Sequence, residues 1–243
     1  MVVQRSQSRF STNVAWLASR HCFSFGQHYD QTNTHFGLLM VSNDDIVAPG
    51  AGFDTHPHRD MEIVTWVLSG SLVHQDSQGN NGVIYPGLAQ RMSAGRGILH
   101  SEKNDSWRLT GTPEHSDPVH FIQMWVLPDT PGINPGYQQL DINDQLDSTG
   151  LAVVASGLAE HSHTTAIHIA QSRAGLLAGR LAPGERQGLP TAPRLHLFVA
   201  VGAVELESGE RLEAGDSARM SESGGIAVTA GSAGAEILVW QMH

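Results

Sequence analysis

Residues 54–70 read DTHPHRDMEIVTWVLSG. From Glu62 onward the stretch is dense in β-branched and aromatic side chains, lacks a 3.6-residue period and stops at Ser69-Gly70, which predicts a buried strand. The segment 61–75, MEIVTWVLSGSLVHQ, then reads as two successive strands around Ser69-Gly70-Ser71. Just ahead of them His56 and His58 stand two residues apart, so on extended backbone both imidazoles leave from the same face.

Working outward, the same short-strand rhythm continues in both directions. FGLLMVSNDDIVAPG gives two apolar segments around a polar turn, DSQGNNG at 76–82 is a turn, and further strands are expected at 88–93 and 119–127. The second half holds LAVVAS, TAIHIA, GLLAGRL, LHLFVAVG, IAVTA and AEILVWQM between Gly-, Ser- and Asp-bearing turns. AVELESGERLEAGD alternates as a half-exposed hairpin does. No long helical period interrupts this pattern. The expected class is all-β, and the turn-rich PDTPGINPGYQQ at 128–139 marks a crossing between a unit at 1–136 and one at 137–243.

Composition narrows the functional classes. A chain of 243 residues with 40% hydrophobic and 16% charged residues can bury a sizeable core. The formal charge of −10 lacks the basic footprint that nucleic-acid backbones require, so direct nucleic-acid binding is not expected. Cys22 is the only cysteine, which removes any intrachain disulfide and favours a reducing compartment. The opening MVVQRSQSRFSTNVAW carries no apolar signal region, and no apolar run reaches about 18–20 residues. The expectation is a cytoplasmic protein without a membrane segment.

Fourteen histidines make imidazole chemistry the next question. ILHSE places His100 and Glu102 at the same spacing as His56 and His58. Two facing strands with that spacing could converge three imidazoles and one carboxylate on Fe, Mn, Co, Ni, Cu or Zn, not on calcium. An isolated His-x-His pair is equally a hydrogen-bonded surface pair, and spacing alone does not bring the segments face to face. Both readings stay open on the residues alone.

Other residues carry paired readings too. Glu62 orients a ligand imidazole if the strand runs unbroken from His58, or faces water if Asp60 bends it. Gly95 and Gly97 flank Arg96 and serve either a close approach to His100 or an ordinary turn. Phe53, Met92, His120 and Gln123 are core, rim or cavity wall, and Trp66 belongs to the barrel core. His161 and His163 have no following His/Glu pair and read as structural or surface residues. Cys22 and His21 are adjacent and diverge on a strand, so they do not form a nucleophilic pair. His58-Arg59-Asp60 lacks the context of a kinase catalytic loop.

From GFDTHPHRDMEIVTWVLSG through YPGLAQRMSAGRGILHSE the chain resembles the bacterial pirin family of the cupin superfamily. HCFSFGQHYD, NDDIVAPGAGF and HFIQMWVLPDTPG fit the same family, and the resemblance is specific over about residues 14–139. It implies a bicupin of two stacked antiparallel β-barrels. The N-terminal barrel would bind one divalent transition metal, usually Fe(II), through His56, His58, His100 and Glu102; the C-terminal barrel would hold none.

The resemblance also implies an activity. Some pirin-like cupins are quercetin 2,3-dioxygenases, which cleave a flavonol with O2 and release carbon monoxide. Glu102 would be the base that takes the flavonol 3-hydroxyl proton. The alternative is a non-enzymatic, redox-sensitive iron protein that docks to a protein partner. The expected ligands are a small aromatic substrate and O2, and the expected state is a monomer.

Overall fold

The computed structural model describes residues 1–148 and 150–243. Its strands are β1 (Val2–Gln4), β2 (Phe10–Val14), β3 (Leu17–His21), β4 (Leu39–Val47), β5 (Gly52–His58), β6 (Glu62–Ser69), β7 (Leu72–Asp76), β8 (Asn81–Ile84), β9 (Leu88–Ser93) and β10 (Ile98–Lys103). They continue as β11 (Val119–Val126), β12 (Gly136–Asp141), β13 (Ala152–Ser156), β14 (Ile167–His168), β15 (Ala174–Leu181), β16 (Arg186–Gly188), β17 (Ala192–Leu206), β18 (Arg211–Glu213), β19 (Ser217–Ser223) and β20 (Ala227–Met242). The α-helices, Trp107–Thr110 and Asn143–Leu146, are single turns.

These strands build two stacked antiparallel barrels, the bicupin architecture. A seven-stranded sheet, β12-β9-β6-β11-β4-β3-β2, and a four-stranded sheet, β5-β10-β7-β8, make the first. A nine-stranded sheet centred on β17 and β20 makes the second. The chain crosses between them at both ends: β1 pairs with β19, and β12 pairs with β9. Among the described residues one pairing is parallel, between β13 and the two-residue β14.

The near-continuous apolar runs have a simple origin. β6 is buried from Glu62 to Val67 because both of its faces are covered. Val64 and Trp66 point into a core shared with the second barrel, whereas Val67 and Ile63 point into clusters of the first. The period of two recurs in β20, where Leu238 and Trp240 join the shared core while Ile237 and Val239 pack inside the second barrel. Trp66 is therefore fully buried between the barrels, and its Nε1 donates to Glu236 Oε1 at 2.7 Å.

Glu62 follows neither of its expected readings. It is buried and bridges the barrels, its Oε2 accepting from Ser93 Oγ at 2.9 Å and from the Ala170 amide at 3.0 Å. The bend that separates it from His58 is real: Asp60 takes φ +49°.

Candidate metal centre

β5 and β10 pair antiparallel with His56 directly opposite His100 and His58 opposite Ile98. Because His56 and His58 share a face, this register gathers three rings. Centroids lie 4.4 Å apart for His56 and His100, 4.8 Å for His56 and His58, and 4.9 Å for His58 and His100. One donor nitrogen from each lies within 4.8 Å of the others, the geometry of a three-imidazole metal cluster.

The entry to β10 is fixed by a turn that only glycine fits. Gly95 has φ +47°, and a Cβ there would stand 2.1 Å from Ile133 O. Its carbonyl accepts from the Asp60 amide at 2.8 Å, so the end of β5 is tied to the start of β10.

Hydrogen bonds leave the ring nitrogens ready for an ion. His56 Nδ1 donates to the Asp54 carbonyl at 2.7 Å, which leaves Nε2 as its lone-pair nitrogen. His100 is 2% exposed and its Nε2 is buried with no hydrogen-bond partner, an orphaned polar atom that a metal would satisfy. Burial and the neighbouring imidazoles push His58 down to about 4 and His100 down to about 3, so both are uncharged at neutral pH, as ligation requires. The donor set thus fits a transition ion.

Glu102 occupies a different position from the three histidines. A register shift between His100 and Glu102 sets it opposite Phe53. Its carboxylate is buried and accepts from Gln123 Nε2, which lies 2.8 and 2.9 Å from its two oxygens. Gln123 Oε1 in turn accepts from Trp125 Nε1 at 3.1 Å. Glu102 is near enough to favour the charged form of His58, but the group of mutually close donor atoms consists of His56, His58 and His100.

The cluster opens into a cavity of about 590 Å³. His56, His58 and Glu102 line one side, with Phe25, Phe53 and Trp125 as aromatic walls. Trp125 meets His58 edge-on, centroids 4.8 Å apart. A polar stripe from β3 and β4 completes the lining: His21 Nδ1 lies 2.9 Å from Asn43 Oδ1, and burial pushes neighbouring Asp45 up to about 7.

Of the cavity-wall candidates, Phe53 and Gln123 line this space. Met92 packs with Ile63 and Ile98 in a separate cluster, and His120 Nε2 pairs with Asp44 Oδ1 at 2.6 Å outside the cavity. His161 Nδ1 lies 2.9 Å from Ser156 Oγ in the second barrel, and His163 is exposed. Cys22 is buried beside Arg9 while His21 turns to the cavity.

Sequence reasoning missed His74 and Asp76. His74 Nδ1 lies 3.5 Å from His100 Nδ1, and its Nε2 lies 3.2 Å from Asp76 Oδ2. The signal was present in LVHQD, which repeats the i, i+2 spacing of the other two pairs.

Comparison with known proteins agrees with this architecture. The pirin family description matches residues 3–126, and the quercetinase C-terminal cupin domain matches residues 153–242. A Mycobacterium tuberculosis (H37Rv) protein, named provisionally as a quercetin 2,3-dioxygenase, is 54% identical over 241 residues, covering 99% of this chain and 94% of the relative. Quercetin 2,3-dioxygenase of Escherichia coli K12 is 44% identical over 137 residues, 56% of each chain. The crystal structure of the bacterial pirin YhhW from Escherichia coli, in complex with nickel(II), matches with a TM-score of 0.86 at 32% identity, covering 99% of this chain and 98% of that one. Two barrels joined by one core, an HPH strand facing a glycine-led HSE strand, and family matches along both halves have a single explanation: this chain belongs to the pirin family.

Proposed function

We propose that the cavity is the active site of a metal-dependent dioxygenase that cleaves a flavonol such as quercetin with O2 and releases carbon monoxide. The observation that carries this reading is the three-histidine cluster, with its orphaned His100 Nε2, opening into an aromatic-walled cavity large enough for a small planar ligand. In this reading the unit at 1–136 holds one metal, Fe(II), through His56, His58, His100 and, by a movement of its carboxylate, Glu102. The unit at 137–243 lends β12 to the edge of the first sheet, packs on that sheet through the shared core and holds none. The names and descriptions of the relatives support the choice of substrate and co-substrate.

The residues divide the work as follows. Phe53 and Trp125 present the apolar walls against which a flat ring system would lie. Glu102 accepts the proton of the flavonol 3-hydroxyl; Gln123 holds its carboxylate toward the cavity side until that transfer. The metal, when bound, supplies a Lewis acid for the flavonol oxyanion and a site for electron exchange with O2. Both atoms of O2 enter the ring-opened depside, and one ring carbon leaves as carbon monoxide.

The test is anaerobic reconstitution with Fe(II), then quercetin and O2, following flavonol absorbance and carbon monoxide. Turnover by the wild type that is lost in His56→Ala and Glu102→Ala supports the enzyme. Stoichiometric metal with quercetin untouched, and a protein partner retained in one redox state only, would instead identify a redox-sensitive docking protein.

A further inference from the structure

Three i, i+2 pairs lie side by side on the four-stranded sheet. His56 and His58 are on β5, His100 and Glu102 on β10, and His74 and Asp76 on β7. The β10–β7 register sets His100 opposite Asp76 and Glu102 opposite His74. The third pair therefore backs the second, on the side away from β5.

The contacts form one line. Asp76 Oδ2 is 3.2 Å from His74 Nε2, and His74 Nδ1 is 3.5 Å from His100 Nδ1. The side chains of His74 and Asp76 are 1% and 0% exposed, so water does not compete for these bonds. Tyr137 stacks on His74 with centroids 4.8 Å apart and planes 28° apart, which holds the ring orientation.

Asp76 is itself pinned by the turn that follows it. Its Oδ1 accepts from the amides of Gln78 at 2.9 Å and Asn80 at 3.0 Å, and its Oδ2 accepts from Asn80 Nδ2 at 2.9 Å. With N–H donors directed at both of its oxygens, the carboxyl group serves as an acceptor.

Proton positions follow from the donor and acceptor inventory. A carboxylate can only accept, so His74 Nε2 carries a hydrogen. In the tautomer with its hydrogen on Nε2, His74 has a lone pair on Nδ1, which accepts from His100 Nδ1–H. His100 Nε2, the orphaned atom in the three-histidine cluster, is then the unprotonated nitrogen.

We propose that Asp76 and His74 are positioning residues, a buried relay that fixes His100 in its Nδ1–H form and presents Nε2 to the metal. The proposal rests on the metal-centre reading and is independent of the substrate. It makes the DSQGN turn, which does not line the cavity, a determinant of metal affinity.

The test uses the full-length metal-free protein labelled with 15N-histidine, with long-range 1H–15N spectra reporting tautomers and His100→Gln and His74→Gln supplying assignments. The relay expects His100 as Nδ1–H and His74 as Nε2–H. In Asp76→Asn the side-chain amide faces His74 Nε2, so both tautomers should invert. Ni(II) affinity of Asp76→Asn and His74→Phe should fall roughly 10–100-fold.

His100 found as Nε2–H in the wild type, or unchanged tautomers in folded Asp76→Asn, would overturn the relay. So would wild-type Ni(II) affinity in both variants. Failure of the wild type to take up any Ni(II) would overturn the metal centre instead, while the tautomer spectra still decide the hydrogen-bond relay.

Discussion

His56 and His100 face each other across the β5–β10 ladder, ring centroids 4.4 Å apart, although 43 intervening positions separate them in sequence. In the proposed metal centre each would supply one nitrogen ligand. His56→Ala and His100→Ala should each lower metal affinity by more than the roughly 10–100-fold cost of losing an outer partner. Elemental analysis and Ni(II) titration of the purified variants check this; near-normal metal content in His100→Ala would remove it from the ligand set.

Three histidines make the metal-free protein acid-sensitive. His58 is held to about 4 and His100 and His196 to about 3, against an ordinary value of 6.5. The unfolded chain takes up these protons first as pH falls, so stability is full above about 6.5 and declines toward pH 3–4. His196, on β17, is buried beside Phe23 and outside the three-histidine cluster, with its Nε2 unpartnered. His196→Leu should make the acid limb of urea-determined stability shallower by up to about 1.4 kcal/mol per pH unit.

Asp45 works in the opposite sense. Burial raises it to about 7 from an ordinary 3.8, so the native state keeps a proton that the unfolded chain has lost. Its contribution is full below about pH 3.8 and declines as pH rises toward 7. Asp45→Asn should gain stability relative to wild type between pH 4 and pH 8. Paired denaturation curves at the two pH values, showing a constant difference, would refute the assignment.

Trp66 ties the two barrels together through the shared core and its bond to Glu236. Trp66→Phe leaves Glu236 Oε1 without its donor, although Arg180 Nε remains 3.2 Å from Oε2, and should cost about 1–3 kcal/mol. Trp66→Ala also empties the shared core and should cost about 3–5 kcal/mol. Calorimetry should show one transition for wild type and a lower, broader one for Trp66→Ala.

Gly95→Ala forces a side chain into the left-handed region and against Ile133 O. The conformational cost alone is about 1–2 kcal/mol. Because Gly95 O anchors the Asp60 amide, the variant should also lose metal affinity. Parallel unfolding and Ni(II) titrations would show whether both fall together.

The sequence by itself determined the strands, the all-β class and the same-face placement of His56 with His58. Those follow from local rules: β-branched composition, turn residues and the period of two along extended chain. It also carried the family resemblance. Only the tertiary structure decided which strands became neighbours, and that choice created the site. Register placed His56 opposite His100, an extra residue in β5 set Phe53 opposite Glu102, and the left-handed Asp60 sent Glu62 to the second barrel. His74 and Asp76 had the same spacing as His56/His58 and His100/Glu102, yet their place behind His100 depended on β7 pairing with β10. Side-chain direction is a local property of each strand, whereas convergence on one point is a property of the ladder, set by the burial of whole sheets.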